Sequence, residues 1–182
     1  RLLSGKGLYT YDIDPGTGLA VGFFRAPLAH ARLVSVDTAA AAAMPGVHLV
    51  ATQADLDADG IGEIHCEHQL SNADGAPMTM VSHPPMVREV NRTAGDIVAV
   101  VVADDVTLAN DALELIDARY ESRDAVTDVY AAIEEGAPQL YDAYPNNIAF
   151  DWVAGDHDET DAALAAAADN GCLLYTSDAA DD

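Results

Sequence analysis

The sequence predicts an α/β (α+β) fold, with a mixed sheet built from two strand-helix-strand units. Three observations carry the prediction. Leu19–Phe24 and Asp96–Ala103 are apolar runs of strand length, the second a near-continuous series of Val and Ile of the kind a sheet interior requires. Val106, Ala109, Ala112, Leu113 and Ile116 recur at helical spacing, so one face of that segment can pack on a sheet. Gly and Pro punctuate the chain between these runs. With 182 residues, half of them hydrophobic, one domain with a core of its own is the default.

The elements follow in order. Gly5, Gly7, Pro15, Gly16 and Gly18 break up a polar opening segment, residues 1–18, before the strand at Leu19–Phe24, which Pro27 ends. Ala31–Asp37 mixes Leu and Val with polar residues as a half-buried strand does. Thr38 offers a cap for a short helix over Ala39–Met44, Pro45-Gly46 breaks it, and Val47–Thr52 is the next strand. Asp55–Met86 reads as a long polar excursion rich in Gly, Pro and His. The second unit is the Asp96–Ala103 strand, a helix with Asp104 and Asp105 as cap candidates, and a returning strand over Ala118–Glu121. Burial of Val98, Val100 and Val102 against Leu113 and Ile116 is the expected core. After Tyr130 come a short helix at Ala131–Glu135 and a break at Gly136-Ala137-Pro138, and Ile148, Phe150 and Trp152 are expected to stay partly exposed.

Charge narrows the function classes. The formal net charge is -23, from 31 Asp plus Glu against 8 Lys plus Arg, so binding to a phosphate backbone is disfavoured. Lys6 is the only lysine and Asp outnumbers Glu, a balance that suits a protein kept soluble in high salt. Periodic Val, Ile and Leu argue against an acidic disordered chain. No apolar run reaches the roughly 20 residues of a membrane span and no export signal is visible, so a cytoplasmic protein without a membrane or nucleic-acid partner is expected. Cys172–Asp182 reads like translated sequencing adaptor, set apart as a non-native tail without fixed position, and the natural chain is expected to continue beyond Gly171. Cys66 is then the one natural cysteine, which fits a reducing compartment.

Four blocks in order carry a family resemblance. They are Ser4-Gly5-Lys6-Gly7-Leu8-Tyr9 with Tyr11-Asp12-Ile13; Phe24-Arg25-Ala26-Pro27-Leu28-Ala29-His30-Ala31-Arg32 with Met44-Pro45-Gly46-Val47; Arg92-Thr93-Ala94-Gly95-Asp96-Ile97-Val98-Ala99-Val100-Val101; and Ala109–Ile116 with Tyr120-Glu121. Together they resemble the opening of the molybdopterin-binding large subunit of the xanthine dehydrogenase, aldehyde oxidase and carbon monoxide dehydrogenase family. Thr93 and Ile97 stand where that family's pattern has tyrosine and proline, and Ile continues a buried strand better than Pro. The resemblance implies an α/β hammerhead domain over residues 19–150, the start of the molybdopterin-binding domain at 151–171, and the adaptor-derived tail at 172–182. It implies an oxidoreductase that hydroxylates a carbon centre with water-derived oxygen. Its molybdenum-pterin cofactor would lie in later domains, and iron-sulfur clusters and FAD on partner subunits or domains. This chain is expected to hold no catalytic, cofactor-binding or metal residue and to serve as a structural piece.

Local motifs have plainer readings beside the functional ones. Ser4-Gly5-Lys6-Gly7 hints at a phosphate loop but lacks the rest of that motif, so turn glycines are expected. His65-Cys66-Glu67-His68 offers three zinc ligands, with His83 joining if the long loop folds back; an acidic metal-binding module is therefore the alternative function, and a small buried Cys66 the plain reading. Asp156-His157-Asp158-Glu159 precedes an Ala-rich stretch and reads as a solvated helix start rather than a calcium or acid-base cluster. His30, between two alanines and without an acidic or nucleophilic partner at a recognisable spacing, is expected to hydrogen-bond backbone. A hydrolase is excluded for want of a Gly-x-Ser-x-Gly elbow.

Overall fold

The computed structural model describes residues 2–12, 18–81 and 83–169. Six strands and four α-helices lie among them: β1 Ala20–Arg25, β2 Ala31–Asp37, α1 Ala39–Ala42, β3 Val47–Thr52, α2 Gln53–Ala58, β4 Val90–Asn91, β5 Ile97–Ala103, α3 Val106–Leu113, β6 Asp117–Ser122 and α4 His157–Asp169. One three-stranded sheet has the order β1-β5-β3, the other β4-β2-β6, and every pairing is antiparallel.

β5 is central in the first sheet because its backbone can bond on both edges and its side chains demand cover. Ala99, Val101 and Ala103 are fully buried on one face, beneath α1 and α3. The contact is made of small residues, Ala41 from α1 and Ala109 and Ala112 from α3, so helix and sheet backbones come close. Gly22 on β1 belongs to this design: a Cβ there would sit 3.1 Å from Leu113 Cδ1 and 3.5 Å from Ala109 Cβ. Around the second sheet, Ala26, Val87 and Val98 form a smaller core with Leu33 and Tyr120. Phe24 and Val36 pack against both clusters and join them.

The α/β class and both strand-helix-strand units are present, but one mixed sheet is not. β2 and β3 lie in different sheets, as do β5 and β6. The link from Asp37 to Val47 is a single short helix, too brief for the dozen or so residues a parallel crossover needs, so the chain changes sheet instead. The caps differ in detail. Asp105 caps α3 through Leu108 N at 2.8 Å as expected, whereas Thr38 makes no side-chain cap and Asp37 Oδ1 takes the Ala39 amide at 2.9 Å. Val106 is exposed in the first turn of α3 rather than on its packed face. The valines also divide differently: Val98 is buried, while Val100 and Val102 are only half-buried on the face of β5 that no helix covers.

The region 55–86 is not all loop. α2 opens it, and Asp55 Oδ2 in its first turn accepts from Thr52 N and Thr52 Oγ1, both at 2.7 Å. The excursion then folds back through a bridge between Ile64 and His83. Compact packing divides the chain into a unit of residues 1–67 with 80–148 and another of 68–79 with 149–182. Within the first, residues 131–148 are fastened by polar ties. Asn147 Nδ2 donates to Ala132 O at 2.8 Å and Pro138 O at 3.0 Å, and its Oδ1 accepts from Leu140 N at 2.9 Å. Ala131–Ile133 is a 3-10 turn, not a longer helix. Within the second, the Ser71–Pro77 bridge is tied to Asp151 by Ala73 N→Asp151 O at 2.7 Å and Asp151 N→Asn72 Oδ1 at 2.9 Å. Ile148 in the first unit and Phe150 and Trp152 in the second are substantially exposed. The adaptor-like tail lies outside the described residues.

Candidate functional site

His30 is buried at the start of β2, and its Nδ1 lies 2.8 Å from the carbonyl oxygen of Asp124, to which it must donate. The other ring nitrogen, Nε2, is buried without a hydrogen-bond partner among the described residues. The backbone role expected of this histidine is what the geometry gives. Cys66, His65, Glu67 and His68 share one exposed loop, and the Ile64–His83 bridge does bring His83 back toward it. Among the described residues, however, no group of three or more His, Cys, Asp or Glu is gathered to hold a metal ion. Cys66 is exposed, so its plain reading as a buried small residue is corrected: its strandless loop offers no core to enter.

The other motifs settle as turns and caps. Gly5 has φ of 69° directly after a 3-10 turn, a turn glycine. Asp156 Oδ1 accepts the Glu159 amide at 2.9 Å and starts α4, with Asp158 and Glu159 in its first turn, where the helix dipole favours negative charge.

The polar constellation with the most chemistry has no motif that marks it in the sequence. Arg88 forks onto Asp57 of α2, Nε to Oδ2 at 3.1 Å and Nη2 to Oδ1 at 2.9 Å, and its Nη1 reaches Glu63 Oε1 at 2.6 Å. These bonds hold the Asp57 carboxyl at about 2, with a further contribution from Gln53 Nε2 at 2.8 Å, and raise the Arg88 pKa in turn. Gln53 is buried and its Oε1 takes the Met86 amide at 2.9 Å, so α2 anchors the returning end of the excursion. The readable signal is Thr52-x-x-Asp55, a helix-start pattern, followed by an arginine in a chain with few cations.

Beside it, a small open recess is lined by Pro84, Met86, Arg92, Asp96 and Tyr141 among others. Its charged groups are already employed. Arg92 Nε donates to Leu140 O at 2.7 Å while the guanidinium lies 4.0 Å from the Tyr141 ring centroid, and Asp96 Oδ2 accepts the amides of Arg92 and Thr93 at 2.8 and 3.1 Å. The Arg92 contacts fasten the 131–148 segment and the Asp96 bonds close the turn at Arg92–Asp96; neither sets a base beside a nucleophile.

Comparisons with known proteins agree with this architecture. Residues 4–124 match the family model described as aldehyde oxidase and xanthine dehydrogenase, a/b hammerhead domain. The large subunit of nicotine 6-hydroxylase from Paenarthrobacter nicotinovorans is 37% identical over 161 residues, 87% of this chain but 19% of that protein. The crystal structure of quinoline 2-oxidoreductase from Pseudomonas putida 86 superposes with a TM-score of 0.68 at 39% identity, covering 79% of this chain and 17% of that one. That of a Cu,Mo-CO dehydrogenase gives a TM-score of 0.65 at 31% identity over 91% of this chain and 21% of its own. The chain thus spans about a fifth of the length of the proteins it matches. It belongs to the aldehyde oxidase and xanthine dehydrogenase family, whose a/b hammerhead domain its residues 4–124 match.

Proposed function

We propose that this chain is the front, non-catalytic part of the large subunit of a molybdenum hydroxylase, an oxidoreductase that inserts water-derived oxygen at a carbon centre. The observation that carries the proposal is the hammerhead match over residues 4–124, set against coverage of only about a fifth of relatives that include a nicotine hydroxylase and a Cu,Mo-CO dehydrogenase. In this reading 19–150 is the hammerhead domain, 151–171 begins the molybdopterin-binding domain, and 172–182 is not native. The change of compact unit after Ile148 supports the boundary near 150. The molybdenum-pterin cofactor belongs to later domains, iron-sulfur clusters and FAD to partner subunits or domains. No catalytic, cofactor or metal role is assigned to any residue here.

In this reading the protein works in the cytoplasm, without membrane or nucleic-acid partners. The net charge of -23 supports the lack of a nucleic-acid partner. Among the described residues no helix is long and apolar enough to cross a membrane. The test is elemental. The 182-residue chain, purified alone, is expected to carry no molybdenum, iron or flavin and to oxidise no purine or aldehyde, while the full-length gene product produced with its neighbouring subunits carries molybdenum. Near-stoichiometric molybdenum on the short chain, or none on the full product, overturns the reading. A zinc titration with Cys66→Ser and His68→Ala controls tests the metal-module alternative on the same sample.

A further inference from the structure

An antiparallel sheet with one face on the core normally turns a polar face to water. The second sheet obeys. Its outer side carries the Arg32–Glu121 ion pair at 2.8 Å, with Ser35, Asp37, Asp117 and Arg119 alongside. The first sheet does not. Opposite the helices, strand register aligns Phe23, Val100 and Ala51 in one cross-strand row and Val21, Val102 and Leu49 in the next. Six apolar side chains from three adjacent strands thus form one charge-free patch. Val21 is 49% exposed, Phe23 45% and Leu49 53%, and neither core cluster includes any of the six. Single exposed apolar residues are ordinary, but a contiguous patch in register is not. Arg25 marks one corner, its guanidinium 5.4 Å from the Phe23 ring centroid and its Nη1 donating to Gly95 O at 2.8 Å, which fixes that charge at the rim of the face.

We infer that the open face of the β1-β5-β3 sheet is the seat of a later part of the same polypeptide, an apolar sheet or helix face from beyond the described residues. This rests on the proposal that the chain is the front of a longer subunit. The occupant follows from length and charge. In the matched relatives about four-fifths of the chain lies outside the aligned part, held nearby by the chain itself, so its docking is intramolecular. Permanent interfaces are the more hydrophobic ones, and an apolar face without charges suits one better than a passing encounter. A second copy of this segment would bring a second charge of -23 against the first.

The experiment uses the full-length gene product without substitution. Hydroxyl-radical footprinting, read by peptide mass spectrometry, compares side-chain oxidation at Phe23 and Leu49 in the native and the guanidinium-unfolded protein. We expect at least about tenfold protection at both in the native state. Oxidation as fast as in the unfolded chain shows the face in water and overturns the inference. A photo-crosslinking residue at position 23 then identifies the occupant. A crosslink to a later peptide of the same polypeptide, with no gain in subunit mass, supports the inference; one to another subunit or a second copy overturns it. Molybdenum is assayed on the same preparation. Protein without molybdenum but with Phe23 protected by its own chain sinks the enzyme reading and keeps the docking face, and metal-loaded protein with Phe23 exposed does the reverse.

Discussion

At the scale of single residues, neighbours on β5 have opposite meanings. Val101 is fully buried beneath α1 and α3, whereas Val100 faces the open side of the sheet. Val101→Asp leaves a charge without a partner in the core and is expected to cost on the order of 3–5 kcal/mol, enough to unfold a marginal domain. Val100→Asp keeps its carboxylate in contact with water and should cost far less in the short chain. Paired thermal melts check this; equal losses would mean that both faces of β5 are core. Asp57 gives a second prediction, about pH. Its carboxyl is held at about 2 by Arg88 first and Gln53 next, below its ordinary value of 3.8. A folded pKa below the unfolded one contributes stability that is present above about pH 4 and lost as pH falls toward 2. The difference in stability between the unsubstituted chain and Asp57→Asn should therefore be flat above about pH 4 and shrink below it. A difference that holds constant down to pH 2 would show that the Arg88 fork adds nothing to folding.

At the scale of elements, most strands can be read from the sequence and their partners cannot. Ala31–Asp37 and Val47–Thr52 fall where the residue pattern puts them, because β-branched runs between Pro and Gly breaks are local signals. Which sheet each joins is decided by the length of the α1 link and by the need to cover Ala99 and Val101, neither of which is a local property of β2 or β3. α2 is hidden inside a polar stretch although its start pattern is present, and β4, two residues long, has no pattern to read. The same limit applies to the candidate site: the cap at Asp156 and the backbone bond of His30 are legible, while the Arg88 fork joins Asp57 and Glu63 across a loop whose path the sequence does not declare. Gly22 tests the close packing of α3 on β1. Gly22→Val would drive branched carbons into Leu113 and Ala109, and a loss of roughly 1–3 kcal/mol is expected in denaturant melts. Asn147 tests the fastening of the 131–148 segment. Asn147→Ala removes all three of its ties, so amide exchange at Leu140 should speed up while β5 amides stay protected; unchanged exchange at Leu140 would mean that the Arg92–Leu140 bond and packing hold the segment without Asn147.

At the scale of the whole molecule, stability in water is governed by the charge imbalance. Thirty-one acidic residues against eight basic ones leave most carboxylates without an opposite charge nearby, and bringing them together on folding is repulsive. Among the described residues the arginine–carboxylate pairs, Arg88 with Asp57 and Glu63, Arg32 with Glu121 and Arg119 with Asp117, are few and partly exposed, each worth little. Salt acts on repulsion and attraction alike, but unequally. Raising ionic strength from about 0.01 M to about 1 M shortens the screening length from roughly 30 Å to roughly 3 Å, which erases repulsion across the surface but only weakens ion pairs in direct contact. Salt therefore removes mainly the repulsion, and the balance favours the folded state. The melting temperature is expected to climb with potassium chloride, most steeply at the low end where screening changes fastest. A neutral osmolyte at matched osmotic pressure should leave the low-salt part of that climb absent. A flat or falling melting temperature across the same range would show that the acidic surface carries no net repulsion in the folded state.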